Sequence, residues 1–432
     1  MASTRARPGR ILIVGINFAP EPVGIGPYTT ELATSLAHDG YAVEVVTAKP
    51  YYPAWRTEDR FRGGGYQSSV EAGVRVTRCP IYVPSRPSGA RRVLHHLSFA
   101  ASIAPPLVRA IQARTPDLVL VVAPSMMSAP VARLFARICR AKCWLHVQDF
   151  EVGAAIATGL IAAGGLRAWL ARRFETFAYA GFDLASSISP RMCARLKSFG
   201  FRGQDVFELR NWSSVEEIYP MPPAASAYHE LWNREGRHVA LYSGNISNKQ
   251  GLECVIDAAR LLSERRDILF LICGEGPQKA ALASKGAGLP NLRFEPLQPR
   301  DRLRDLLGLA TLHLSPQIAS AADLVLPSKL TNMLASGKPV VATAAAGTGL
   351  AAEVEGCGLV VAPGDAGALA DAVVTLVDDP AACARMGAAA RARALERWSK
   401  EVILGRLRPR IAKLLSPAAK SRAAVAAGDL PA

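Results

Sequence analysis

Short apolar runs alternate with stretches in which apolar residues recur every three or four positions, and both halves of the chain repeat this alternation. Ile11–Gly15 reads as a first strand, followed by a loop through Tyr28 and a helix to His38. Tyr41–Ala48, Asp117–Val122, Cys143–Val147 and Asp183–Ser187 read as further strands, and a helix runs from Pro190 to about Phe199. The apolar piece Phe207–Arg210 leads into a polar, proline-rich connector through Pro223, where one domain gives way to the next. Beyond it the pattern predicts strands at Val239–Tyr242, Ile268–Cys273, Leu292–Phe294, Leu312–Leu314, Val340–Thr343 and Gly358–Val361. Asp365 opens the helix after the last of these, and helices from about Ala381 to Leu414 finish the chain. Strands alternating with helices imply an α/β fold with parallel sheets. Residues 1–9 and 416–432 hold few large apolar residues and are expected to be disordered.

The loops between these elements carry the candidate chemistry. In LYSGNISNKQGLECVIDAARLL, Leu241–Leu262, Gly244 and Gly251 bracket a polar loop, and Leu252, Val255, Ile256 and Ala259 then fall at helical spacing. The strand Ile268–Cys273 ends in Gly274-Glu275-Gly276-Pro277. In PSKLTNMLASGKPVVAT, Pro327–Thr343, a helix over Ser328–Ser336 stops at Gly337 and a strand follows at once. Such a helix start offers free N–H groups and a positive dipole, and Lys329 lies in its first turn; a phosphate suits it as well as a solvated structural turn does. Ligands of open parallel sheets bind at strand-to-helix loops of this kind.

The order YSGN…KQG, ICGEGP, LPSKLTNMLASGKPVVAT resembles the donor half of GT-B glycosyltransferases of family 4. Ile11–Pro53, with GIGPYTT and PYYP, is similar to that family's opening, and with HVQDFE and PSKLTN it resembles the branch that assembles colanic-acid-type exopolysaccharides through fucosyltransferase-like enzymes. The resemblance implies two Rossmann-like domains whose parallel sheets face a central cleft. Residues 1–210 would bind the acceptor, with the 399–415 helix returning to them, and residues 211–398 would bind a nucleotide-sugar donor, GDP-fucose as the first guess. The acceptor would be a lipid-linked saccharide. Donor contacts are expected from Gly24, Gly26, Gly244, Asn245, Lys249, Gln250, Gly274, Glu275, Pro327, Ser328, Lys329, Leu330 and Asn332. Most relatives place Arg and Lys where Asn245 and Gln250 stand, and Glu where Asn332 stands, so the phosphate charge falls to Lys249 and Lys329. No Asp-x-Asp pair suggests a metal, and no metal or other cofactor is expected. Asp378-Asp379, beside Pro380, sits in a turn.

Asp149, after the strand Cys143–Val147, is the candidate general base, with helix capping as its alternative role. His146 is the second candidate, unless strand alternation turns it into the core. Glu21, Tyr28 and Glu151 are expected to bind the acceptor. An epimerase of the same fold and a non-catalytic assembly partner are the competing functions.

Composition adds a partner. The chain has 432 residues with a net charge of +15, and 50% are hydrophobic, enough for sizeable cores. Residues 1–210 hold 26 Lys and Arg against 14 Asp and Glu, whereas the remainder is nearly balanced. An excess of this kind suits a polyanion. Nucleic acid is not expected, because no finger, RNA-recognition or helix-turn-helix signature is present. An anionic membrane surface is, through Arg86–Arg114, in which Arg91, Arg92, His95 and His96 precede an uncharged run, Leu97–Val108. No signal sequence and no membrane-spanning run is read, and the eight cysteines lack metal spacing, so the expectation is a cytoplasmic protein peripheral to the inner face of the membrane.

Overall fold

Eight strands form the first sheet: β1 (Arg10–Gly15), β2 (Ala42–Ala48), β3 (Gln67–Glu71), β4 (Val74–Cys79), β5 (Leu118–Ala123), β6 (Lys142–Val147), β7 (Leu184–Ser187) and β8 (Val206–Glu208). Their order is β3-β4-β2-β1-β5-β6-β7-β8. The structure is a computed structural model and describes residues 9–415 apart from 23, 87, 158–161, 163 and 320–327. All neighbours in this sheet pair in parallel except β3 with β4. β1 and β5 are buried at every residue. Their unbroken apolar runs follow from helices covering both faces.

The helices of this unit are α1 (Gly26–His38), α2 (Gly89–Ser102), α3 (Ala104–Ala113), α4 (Ser128–Ile138), α5 (Glu151–Ala157), α6 (Leu166–Tyr179) and α7 (Pro190–Lys197). The α2–α3 break falls at Ile103. Pro105 and Pro106 sit in the first turn of α3, where a missing N–H costs nothing. Helix α2 buries His95 and Phe99 while Leu94 and Leu97 stay exposed. His95 donates from Nδ1 to the Tyr82 carbonyl at 2.6 Å. Burial pushes both His95 and His96 down to about 4, so neither adds to the positive charge of the 86–114 segment.

The β3–β4 hairpin was not anticipated. Its two-residue loop, Ala72-Gly73, is left-handed at both positions (φ 46° and 81°), the conformation that matches strand twist in tight hairpins. The pattern gave little warning: β3 carries Ser68 and Ser69 and none of its residues is buried.

The second sheet contains β9 (His238–Ser243), β10 (Ile268–Cys273), β11 (Leu292–Glu295), β12 (Leu312–Ser315), β13 (Val340–Thr343) and β14 (Gly358–Val361), ordered β11-β10-β9-β12-β13-β14 and parallel throughout. Alternate residues feed two cores. Val239, Leu241, Leu269 and Leu271 belong to one, and Ala240, Tyr242, Phe270 and Ile272 to the other. The helices are α8 (His229–Trp232), α9 (Leu252–Leu261), α10 (Lys279–Lys285), α11 (Leu303–Gly308), α12 (Ser328–Ala335), α13 (Gly349–Val354), α14 (Ala366–Asp378), α15 (Pro380–Arg393) and α16 (Lys400–Leu415). Asp365 and Asp379 cap α14 and α15 through the N–H groups of Ala368 and Ala382, and Asp378 pairs with Arg265 at 2.7 Å. The acidic pair Asp378-Asp379 is thus engaged in helix capping and an ion pair.

By compactness the chain divides at Arg210 and again at Gly405, with Asn211–Gly405 as one unit and the rest as the other. The later half of α16 packs in the first unit: Arg408 Nε donates to Asp39 at 2.8 Å and Arg410 lies over the Phe207 ring. The 416–432 segment lies outside the described residues. Among the described helices none is long and apolar enough to cross a membrane.

Candidate functional site: two carboxyl edges

In the second sheet the strand order reverses between β9 and β12, the place where open parallel sheets bind their ligands. Tyr242, Gln250 and Lys329 meet there. Lys329 Nζ lies 3.8 Å from the centre of the Tyr242 ring and 3.3 Å from Gln250 Oε1. The Tyr242 hydroxyl donates to the Asn245 carbonyl at 2.6 Å. Among the described residues Lys329 forms no ion pair, and burial pushes its amine down to about 7. It is an amine short of counter-charge and held by a π face.

The neighbouring loops are locked by backbone packing. A Cβ at Gly274 would stand 1.9 Å from the Gly244 carbonyl oxygen, and one at Gly276 2.1 Å from that of Ile246. The Ile246 N–H donates to the Glu275 carbonyl at 2.9 Å. Gly244, Asn245, Gln250, Gly274, Glu275 and Lys329 therefore share one edge. The Glu275 carboxylate is exposed and paired with Lys279 at 2.7 Å, which holds it below the usual range. The Leu330 side chain is fully buried in the core, so only its backbone is available to a ligand. Asn332, one helical turn beyond Lys329, accepts from the Ser213 hydroxyl at 2.7 Å. Pro327 and the side chains of Ser328 and Lys249 lie outside the described residues. The sequence reading missed Tyr242, although its position at the end of a buried strand, two residues before Gly244, was a signal.

In the first sheet the order reverses between β1 and β5. Glu21 is 3% exposed, not the loop-surface residue its flanking prolines suggest. Its carboxylate accepts from Asn17 Nδ2 at 2.8 Å and from the N–H groups of Tyr51 and Tyr52 at 2.9 Å each. Burial raises its pKa against the opposing effect of these three donors. Glu21 ties the loop after β1 to the loop after β2, a structural role beside the acceptor contact expected of it. Gly24, with φ 74°, rests beside the Tyr52 ring, and buried Gly26 opens α1 beside Glu21. Both glycines belong to the first unit's edge, as does half-buried Tyr28.

Glu151 repeats the device. Its oxygens accept from the N–H groups of Ser125 and Met126, fastening the loop after β5. Burial pushes its carboxyl up to about 7, with the Asp149 charge adding to the rise. The side chain expected to meet the acceptor thus makes a structural contact in the free protein. His146 takes the inward alternative that strand alternation offered. It is 3% exposed, its Nδ1 lies 2.8 Å from Ser186 Oγ, and burial pushes it down to about 4. Strand alternation turns it inward. Asp149, two residues past the end of β6, is exposed.

Residues 23–212 match the Glycosyl transferase 4-like domain and residues 237–379 match the Glycosyl transferases group 1 domain. WcaI of Escherichia coli (strain K12), named for colanic acid biosynthesis as a glycosyl transferase, is 41% identical over 347 residues, covering 79% of this chain and 84% of WcaI. The chain belongs to the group 1, 4-like glycosyltransferases. Among solved structures it is similar to sucrose-phosphate synthase from Thermosynechococcus elongatus (TM-score 0.68, 17% identity, 93% of this chain and 99% of that one). It is also similar to Anabaena HepE in complex with UDP-glucose (TM-score 0.64, 15% identity, 94% and 99%). At such identities the likeness is one of fold, the GT-B arrangement of two Rossmann-like domains. This glycosyltransferase therefore has the fold and the enzyme class that its motifs imply, and the epimerase reading is set aside.

The Glu151 carboxyl gives a pH test of the first edge. Its native pKa stands above the unfolded value, so its contribution is full below about pH 4.5 and is lost as the pH rises toward 7. Between pH 5 and pH 8, urea unfolding of the wild type should lose on the order of 2 kcal/mol more stability than Glu151→Gln does. Parallel profiles for the two proteins would show that the carboxylate ionises at its ordinary value.

Proposed function

We propose that this glycosyltransferase moves a sugar from a nucleotide-sugar donor to a lipid-linked saccharide acceptor in exopolysaccharide assembly, with GDP-fucose the first donor to try. The reading is carried by Lys329 at the β9–β12 reversal, whose amine among the described residues meets an amide oxygen and a ring face but no carboxylate. It is supported by the likeness to WcaI and by a protein of the same fold, HepE, binding UDP-glucose. As the glycosidic bond to the diphosphate breaks, negative charge grows on the leaving phosphate. A cation already desolvated beside it stabilises that charge strongly. Lys329 takes up a proton as the diphosphate arrives, because the anion restores its pKa. The N–H groups at the start of α12 complete the cradle, with no metal required. The Asn332 amide presents its NH2 to a donor hydroxyl while its oxygen is held by Ser213. Asp149 deprotonates the acceptor hydroxyl.

Lys329→Ala should weaken donor binding and turnover together by about 1.5–3 kcal/mol, measured with a panel of nucleotide sugars in excess chelator. Unchanged kinetics in a folded variant would remove Lys329 from the site. Asp149→Asn should leave nucleotide affinity intact and slow transfer on the order of 10²–10⁴-fold; near wild-type transfer would assign the base elsewhere.

An anionic membrane surface is the second partner, and the cytoplasmic, membrane-peripheral location goes with it. Two stretches of the first unit support it. On α2 and α3, Val93, Leu94, Leu97 and Val108 are exposed beside Arg91, Arg92 and Arg109. On α6, Leu166, Trp169, Leu170 and Phe177 are exposed in one stripe with Arg167 and Arg173, while its acidic residue, Glu175, turns inward to Arg195 at 2.9 Å. Helix α4, packed against both α2 and α6, adds exposed Leu134 and Ile138. Apolar surface rimmed by arginine alone matches an anionic bilayer better than a protein partner. The full chain should sediment with phosphatidylglycerol vesicles. Trp169→Ser with Phe177→Ser should remove the salt-resistant part of binding, and Arg91→Glu with Arg92→Glu the salt-sensitive part. Equal pelleting of all three proteins would assign these faces to another partner.

A further inference from the structure

A cavity of about 690 Å³ opens at the carboxyl ends of β2 and β4, beside the β1–β5 reversal. Its walls include Lys49, Arg56 and Arg62, the rings of Trp55 and Phe61, and the 80–85 segment that leaves β4. Lys49 is the decisive group. It is 5% exposed, it donates to the Gly63 carbonyl, and among the described residues it forms no ion pair. A buried ammonium is costly unless an anion meets it. Arg56 and Arg62 share one carboxylate, Asp59, at 3.3 and 2.9 Å. Three cations against one carboxylate leave the lining with a surplus of two positive charges. A diphosphate diester carries two negative charges.

The surroundings indicate what is attached to the anion. Trp55 has Arg92 of α2 over its ring at 5.3 Å, and His95 of α2 packs beside it. Ser98 of α2 accepts from the Tyr82 N–H at 2.9 Å, so the 80–85 wall is fastened to the same helix. The exposed Leu94 and Leu97 lie on that helix. A basic hole thus opens against a helix whose outward face is apolar and exposed, an arrangement that suits a lipid bearing a phosphate. Glu21 supports the position of the hole, since it anchors the N–H groups of Tyr51 and Tyr52 within the loop that forms it.

We infer that this cavity binds the phosphate-ester anion of a lipid through Lys49, Arg56 and Arg62, with Trp55 and Phe61 against the group next to it. The inference rests on the proposed lipid-linked acceptor, whose diphosphate is one source of the anion; a phospholipid headgroup is the other. The site is separate from the proposed donor edge of the second unit and uses none of its residues.

The test is calorimetric binding of farnesyl diphosphate to the full chain, to Lys49→Gln and to Arg56→Ala with Arg62→Ala, with farnesol and phosphatidylglycerol vesicles as comparison probes. Each variant should weaken farnesyl diphosphate about tenfold or more, the effect of one charge-assisted contact, and leave farnesol and nucleotide affinity unchanged. The double arginine variant lies on an exposed loop and decides the matter should Lys49→Gln fail to fold. A loss confined to farnesyl diphosphate identifies the acceptor as the source, and an equal loss of vesicle binding identifies the headgroup. Unchanged binding of both probes, or a fall in nucleotide affinity, overturns the site. Should the site fail while sugar transfer persists, the transferase reading stands. Should the wild type bind farnesyl diphosphate but turn over no nucleotide sugar, that reading fails and the site remains.

Discussion

Parallel strand pairing governs both units. All described pairings but one run parallel, so the strands of each sheet deliver their carboxyl ends to a single edge. The covered sheets leave no room for polar chemistry on their faces, and the edge is where chain direction changes and backbone groups need new partners. Each unit meets that need differently. The first uses buried carboxylates: Glu21 gathers N–H groups from the loop after β2 and Glu151 gathers them from the loop after β5. The second uses close backbone approach, with Gly274 and Gly276 fitted against the carbonyls of Gly244 and Ile246. Loops fixed in this way can hold side chains at set distances without a ligand present.

Desolvation then sorts the ionisable groups at these edges. Lys329 and Glu151 carry opposite charges when ionised, yet burial drives both toward a pKa of about 7. Their circumstances differ. Glu151 has two N–H partners and completes a structural contact, so its ionisation is already partly compensated. Among the described residues Lys329 has an amide oxygen and a ring face, so its ionisation is compensated less. Lys49 shows the same imbalance at the first edge, where its described polar partner is a carbonyl. A buried cation without a carboxylate is destabilising in the free protein, and an incoming anion removes that cost. Among the described residues these two lysines, one on a strand-exit loop and one at a helix start, are physical indications of anionic ligands.

The sequence by itself determined most of the order of strands and helices, the β3–β4 hairpin apart, and much of the edge of the second sheet. Runs such as Ile268–Cys273 are apolar at every position, and only a strand covered on both faces accommodates that. Glycines at positions 274 and 276 report backbone approach directly, since no side chain fits there, and Gly244 supplies a φ of 136° that a side chain would strain. Tertiary structure decided the fate of the polar residues. Glu21 between two prolines, Glu151 at a helix start and His146 in a strand could each have faced solvent or the interior, and local pattern does not distinguish the two. Partners at long sequence separation made the choice: Tyr51 lies 30 residues from Glu21, Ser125 26 from Glu151, and Ser186 40 from His146. The basic cavity at Lys49, Arg56 and Arg62 was equally hidden, because its charge surplus depends on which carboxylates the fold brings near. Apolar periodicity is a local property of the chain, whereas desolvation and charge pairing are properties of the space the fold encloses.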